Sequence, residues 1–284
     1  MSATPRQKAQ ESSHPADATA MALLTEVRNR IGPVYGSETI SLLLYALARR
    51  ERPRNVLELG TGLGVSASMI AQALKENGAG RIWTIDDGSH WQDRAKLAQA
   101  IAPLRGVAGL GSPDVGALDY PGFVSAMTKS LGVGGHLTFL HERLDLGVDV
   151  DFTSARWPFL AEPIDMVFLD INHTPEPILD TLYYVLPHAA PCLSLFVDSA
   201  STSAVGYLFL ETLVERLNRG KVPWRWMQRA DVATRRLLVD LVATRRFTLV
   251  HLVERLNRAQ NSTAWVRIEP ADHMPHPPAA MKWV

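Results

Sequence analysis

Residues 55–64 read Asn-Val-Leu-Glu-Leu-Gly-Thr-Gly-Leu-Gly, an apolar run that ends on glycines at alternate positions and passes directly into helix-compatible sequence. Val56 to Leu59 suit a parallel strand buried on both faces, and the glycines let the backbone turn sharply and approach a ligand where a side chain would collide. A strand–turn–helix junction of this kind presents unpaired amide N–H groups at the helix start, so a nucleoside is expected here. A dinucleotide fingerprint would need glycine at position 65, where the chain has Val65, and is excluded.

The remainder alternates strands with helices. Apolar residues recur at helical spacing from Ala20 to Arg50 with a break at Gly32-Pro33, which predicts two helices ahead of the first strand. A helix over about Val65 to Glu76 follows the glycine turn. Further strands are expected at Arg81–Asp86, Leu137–His141, Ile164–Asp170 and Cys192–Asp198, with helices at Pro121–Leu131, Pro175–Leu186 and Ser203–Asn218. Phe247–Glu254 and Ala264–Ile268 read as two final strands. The pattern implies an α/β domain with a mostly parallel sheet and helices on both faces. About fifty residues separate strands two and three, more than one crossover helix requires, and 103–120 reads as an inserted loop. Residues 1–18 read as a disordered polar tail, 19–272 as the domain and 273–284 as an irregular tail. Two short echoes, Val-Ala-Thr-Arg-Arg at 232 and 242 and Leu-Val-Glu-Arg-Leu-Asn-Arg at 213 and 252, share no period and are read as coincidence.

The chemistry-bearing residues gather at strand ends. Asp86 closes strand two beside the glycine turn, where a carboxylate can accept ribose hydroxyls, and Asp87 is its neighbour. Asp170 and Asp198 close two apolar strands expected to lie side by side. Carboxylates that converge repel unless a cation intervenes, and their hard oxygens suit magnesium or a similar ion. His173 follows three residues after Asp170, where an imidazole can take a hydroxyl proton. His90 and His141 stand near the same edge as reserve candidates, and Trp91, Trp157 and Tyr35 could wall a flat substrate. Equal numbers of basic and acidic residues, 29 each, argue against nucleic acid held by charge. The single cysteine, Cys192, in an apolar setting that reads as strand packing, fits a reducing, cytoplasmic compartment. No apolar run is long enough for a membrane span, so no membrane partner is expected.

Glu58-Leu59-Gly60-Thr61-Gly62-Leu63-Gly64 together with Asp86 resembles the first two motifs of class I S-adenosylmethionine (SAM)-dependent methyltransferases. The aspartate pair with His173 is similar to metal-dependent small-molecule O-methyltransferases of the catechol and macrolide-sugar type, across most of residues 35–270. This resemblance implies a Rossmann-like doubly wound sheet of seven strands with an antiparallel closing pair. It implies SAM as cofactor, with Glu58, Gly60, Thr61, Gly62, Ser66, Asp86, Asp87, Glu142 and Asp170 around it, Ser66 at the methionine end and the backbone near Glu142 and Arg143 beside the adenine. It also implies Asp170 and Asp198 as ligands of a metal such as Mg2+. Ser199 stands where the catechol enzymes place an asparagine ligand, and His173 where a lysine or histidine base stands. The expected activity is methyl transfer to a hydroxyl of a small molecule, a natural product, by a homodimer. A metal-independent N- or C-methyltransferase and a non-catalytic binding subunit of the same fold remain open as alternatives.

Overall fold

A computed structural model describes residues 15–31, 40–107, 118–147, 151–172, 174–201, 204–253 and 262–271. Helices α1 (Pro15–Ile31) and α2 (Ile40–Glu51) precede strand β1 (Asn55–Leu59), whose five residues are all buried. The glycine turn leads into α3 (Val65–Asn77), then β2 (Arg81–Ile85), α4 (Arg94–Ile101), α5 (Tyr120–Leu131) and β3 (Leu137–Leu140). Strand β4 (Ile164–Leu169), α6 (Pro175–Val185), β5 (Ala189–Asp198) and α7 (Ala204–Asn218) follow. The chain closes with α8 (Trp224–Arg229), α9 (Val232–Thr244), β6 (Arg245–Val253) and β7 (Ser262–Pro270).

The described strands form one seven-stranded sheet in the order β3-β2-β1-β4-β5-β7-β6. The first five are parallel, while β7 runs antiparallel to both β5 and β6. Chain direction along the sheet reverses between β1 and β4, the position where open α/β sheets leave a crevice at their carboxyl edge. One face is covered by α1 to α5 through Leu24, Leu44, Met69, Leu97 and Phe123, and the other by α6, α7 and α9 through Leu182, Leu210 and Leu238. Burying such a side chain contributes about 2 kcal/mol, so these two layers carry the stability of the sheet. No described helix is long and apolar enough to cross a membrane.

Several expectations need correction. The interval between β2 and β3 holds a second helix, α4, capped by Asp93, whose side chain accepts from the amides of Ala95 and Lys96. Residues 108–117 of the expected insertion lie outside the described residues. Helix α1 begins at Pro15, inside the stretch read as a tail. Cys192 lies on β5 but is exposed, because pairing with β7 starts only at Leu193. Helices α8 and α9 occupy a stretch assigned no element from sequence. The Val-Ala-Thr-Arg-Arg copy at 232 opens α9, whereas the copy at 242 crosses from α9 into β6. The same five residues thus take different structures, as expected of a coincidental echo.

The backbone of the glycine turn passes close to the ends of β2 and β4. The Asp170 amide donates to Leu59 O at 2.8 Å, and the Gly60 amide donates to Ile85 O at 2.9 Å. Gly60 has φ +92°, and a Cβ there would sit 2.0 Å from the Asp170 carbonyl oxygen. At Gly62, φ +52°, no atom lies within 4 Å of a Cβ position. Gly60→Ala is therefore expected to destabilise the protein by at least about 3 kcal/mol, against about 1 kcal/mol for Gly62→Ala, as measured by urea unfolding. Equal losses would contradict this account of the turn.

Candidate active site

A cavity of about 860 Å³ opens along the carboxyl edge of the sheet. It brings together Gly60, Thr61 and Gly62 after β1, Asp86 and Asp87 after β2, Glu142 and Arg143 after β3, and Asp170 and Asp198 after β4 and β5. Ser66, in the first turn of α3, also faces it. Each of these residues closes a strand, lies in the turn after one or stands in the first turn of the next helix, so the parallel order of β3, β2, β1, β4 and β5 is what assembles them.

Glu58 lies beneath this floor, fully buried on β1. The Ser66 hydroxyl donates to its Oε1 at 2.5 Å, and the Thr84 hydroxyl donates to Oε2. Thr84 in turn lies 2.6 Å from the Thr61 hydroxyl, so a chain of hydroxyls joins the glycine turn to the carboxyl group. Burial raises the Glu58 pKa to about 7; its two hydroxyl partners pull it down, and the nearby Asp86 charge adds to the rise.

Asp86 acts as a buckle on the glycine turn. Its Oδ2 accepts from the amides of Thr61, at 3.0 Å, and Gly62, at 3.1 Å, and its Oδ1 accepts from Gly88 N at 2.8 Å. Much of its accepting capacity thus serves the protein's own backbone rather than standing open to two ribose hydroxyls. Asp87 lies on the cavity wall and accepts from Ser89 N at 2.8 Å; the Ser89 contacts hold its carboxyl below the usual range. The Tyr120 ring, buried behind the turn after β2, packs edge-on against Phe139 and His141.

Asp170 and Asp198 stand next to each other, because β4 and β5 pair in parallel with Leu169 opposite Val197. Burial first, then the charges of Asp198, Glu58 and Asp86, push the Asp170 carboxyl well above the usual carboxylate range. Ser199, at a left-handed φ of 52°, donates its hydroxyl to Asp198 Oδ2 at 2.7 Å, and Thr263 donates to Oδ1 at 3.3 Å. Ser199 therefore orients Asp198 in this arrangement. Among the described residues no group of three or more His, Cys, Asp or Glu side chains is disposed to hold a metal ion.

His173 and Tyr35 lie outside the described residues. His90 and Trp91 face the cavity; burial and the neighbouring Lys96 lower the His90 pKa. The His141 ring stacks on Phe139, and Trp157 is buried against Phe159 rather than on the cavity wall.

A family model described as a methyltransferase domain matches residues 57–200, just over half of the chain, from within β1 to the turn after β5. The chain belongs to this methyltransferase-domain family. The chain is also similar to solved structures. The O-methyltransferase TomG from Streptomyces achromogenes, involved in tomaymycin synthesis and solved with SAM, is 20% identical, with 91% of each chain covered and a TM-score of 0.45. The O-methyltransferase from Bacillus cereus, solved with S-adenosylhomocysteine (SAH), is 14% identical, with 92% of this chain and 94% of that one covered and a TM-score of 0.45. No curated protein sequence matches the chain.

The glycine motif and Asp86 form one part of the cavity, but sequence reading missed others of its residues, among them Glu176 and Asp180 on α6 and Arg225 on α8. The only signal for Asp180 is an acid on the apolar face of α6, and Arg225 carries none.

Glu58 gives the site a pH signature. A buried carboxyl whose folded pKa lies above its unfolded value binds its proton more tightly in the folded state, so its contribution to stability falls as pH rises from about 4.5 to about 7. Glu58→Gln should remove roughly 3 kcal/mol of the difference in unfolding free energy between pH 5 and pH 8. Urea titrations at both pH values that show the same difference in the variant and the wild type would refute the assignment.

Proposed function

We propose that the protein transfers the methyl group of SAM to a hydroxyl oxygen of a small-molecule acceptor, with natural products as the acceptor class. The observation that carries this reading is the single cavity that runs from the glycine turn and Asp86 to the Asp170–Asp198 pair, so that a nucleoside end and an acceptor end lie along one sheet edge. The sulfonium donor supplies an activated methyl group with a good leaving group. The chain's own work is then binding, alignment and proton removal.

Ser66 and the glycine turn would receive the amino-acid end, Asp87 and the remaining acceptor capacity of Asp86 would face the ribose, and the segment at Glu142 and Arg143 would border the adenine. Asp170 and Asp198 suit a divalent cation that keeps several waters, since neighbouring carboxylates of which one resists ionisation lack only a positive charge between them. A cation held there would supply positive charge to stabilise the acceptor oxygen as its proton leaves. His173 follows Asp170 closely in sequence and is assigned the base. A metal-independent reading is favoured by one observation, the Ser199 hydroxyl directed at Asp198 instead of outward as a further ligand.

His173→Ala is expected to keep SAH affinity within about twofold while lowering turnover about a hundredfold or more, measured with methyl-labelled SAM over a panel of hydroxylated acceptors with magnesium. Unchanged turnover would remove His173 from the reaction. Activity that survives EDTA would select the metal-independent reading, and a wild-type protein that binds neither SAM nor SAH would overturn both.

A further inference from the structure

One wall of the cavity is held from outside the matched methyltransferase domain. Leu144, Leu146 and Gly147, in the segment after β3, line the cavity together with Asp180 of α6 and Arg225 of α8. Among the described residues, 141–147 makes no backbone–backbone hydrogen bond to another element, so ladder bonds do not hold this wall in place. The start of the segment is held by the His141 ring against Asp87 O and by the Glu142–Arg156 ion pair, and its far end is tied by Arg229 of α8. Its Nη1 and Nη2 both reach Leu146 O at 3.3 Å, Nη1 donates to Asp180 Oδ1 at 2.8 Å, and Nη2 donates to the Tyr184 hydroxyl at 2.7 Å. Its guanidinium also lies 5.2 Å from the ring centres of Tyr183 and Tyr184. Asp180, 1% exposed, is shared: its Oδ2 accepts from Arg225 at 3.0 Å.

We propose that Arg229 is a positioning residue, which braces the segment after β3 against α6 and so shapes the wall of the cofactor cavity. The chemistry explains the residue type. A planar guanidinium can donate at once to a carboxylate, a phenol and a carbonyl set at fixed angles, whereas an ammonium is a point charge that cannot span all three. Asp180 keeps the guanidinium in place, and the tyrosine rings offer it their negative faces. Because α8 lies beyond residue 200, this brace is added by the chain's own C-terminal part rather than by the matched domain. The inference rests on reading the cavity as the SAM site.

The test uses the full-length protein, with SAH as the probe. Complete removal of Arg229 would leave the buried Asp180 carboxylate paired with the more exposed Arg225 and risks unfolding. The variants are therefore Arg229→Lys, which keeps a cation beside Asp180, and the neutral pair Asp180→Asn with Arg229→Gln. Amide hydrogen exchange over residues 141–147 should rise about tenfold or more in both variants, with exchange in β1 and β4 unchanged. The SAH dissociation constant, measured by calorimetry, should rise about tenfold at unchanged stoichiometry. A purely stabilising ion pair would lower the melting temperature without this local pattern. Unchanged exchange at 141–147 overturns the brace, and so does wild-type SAH affinity in a variant whose segment has loosened. If the wild type binds no SAH, the reading of the cavity fails, and the exchange result alone decides whether Arg229 holds the segment.

Discussion

The approach of β4 to the end of β1 is the constraint on which the rest of the structure depends. The Asp170 backbone occupies the space that a Cβ on residue 60 would need, so the first turn position can only be glycine. That contact joins the two halves of the sheet at the strand where its order reverses. It also sets the depth of the crevice, because the glycine turn and the Asp170 carboxyl are placed by the same backbone crossing. Parallel pairing of β1 with β2 and of β4 with β5 then brings Asp86 and Asp198 to the same edge.

An edge built this way concentrates acids, and each is accommodated differently. Glu58 is buried and satisfied by hydroxyls, and its pKa rises to about 7. Asp86 accepts from the backbone amides of Thr61 and Gly62 and through them holds the glycine turn in shape. Asp170 is buried close to other carboxylates and resists ionisation. Such a site disfavours anionic ligands and is suited to a positive centre, as the proposed sulfonium donor and a divalent ion both provide. Glu58 lies beneath the pocket, whereas Asp86, Asp170 and Asp198 line it.

Most of the edge was legible because strand-end chemistry is local. An apolar run followed by Asp or Gly marks both the strand and its terminus, and β1, β2 and β4 end within one residue of their expected positions. The closing strands β6 and β7 were legible as runs but extend further at their starts, since mutual pairing recruits Arg245 and Ser262 as well. Helix α4 falls between β2 and the expected loop at 103–120, in a stretch assigned no element, although Asp93 marks its start. Helices α8 and α9 were obscured by many arginines and a short echo, because their apolar residues are divided between a buried and an exposed side.

The sequence by itself determined the glycine turn and the acids at the ends of four of the strands, because each depends on residues adjacent in the chain. Only the tertiary structure decided that Asp86 serves the turn's amides, that Ser199 orients Asp198, and that Asp180, Arg225 and Arg229 join the cavity and its wall. Those roles depend on which groups face one another across separate elements. Arg229 and Leu146 lie far apart in the chain and meet only because α8 folds back against the segment after β3. A hydrogen bond of that kind is fixed by packing, and no local spacing records it.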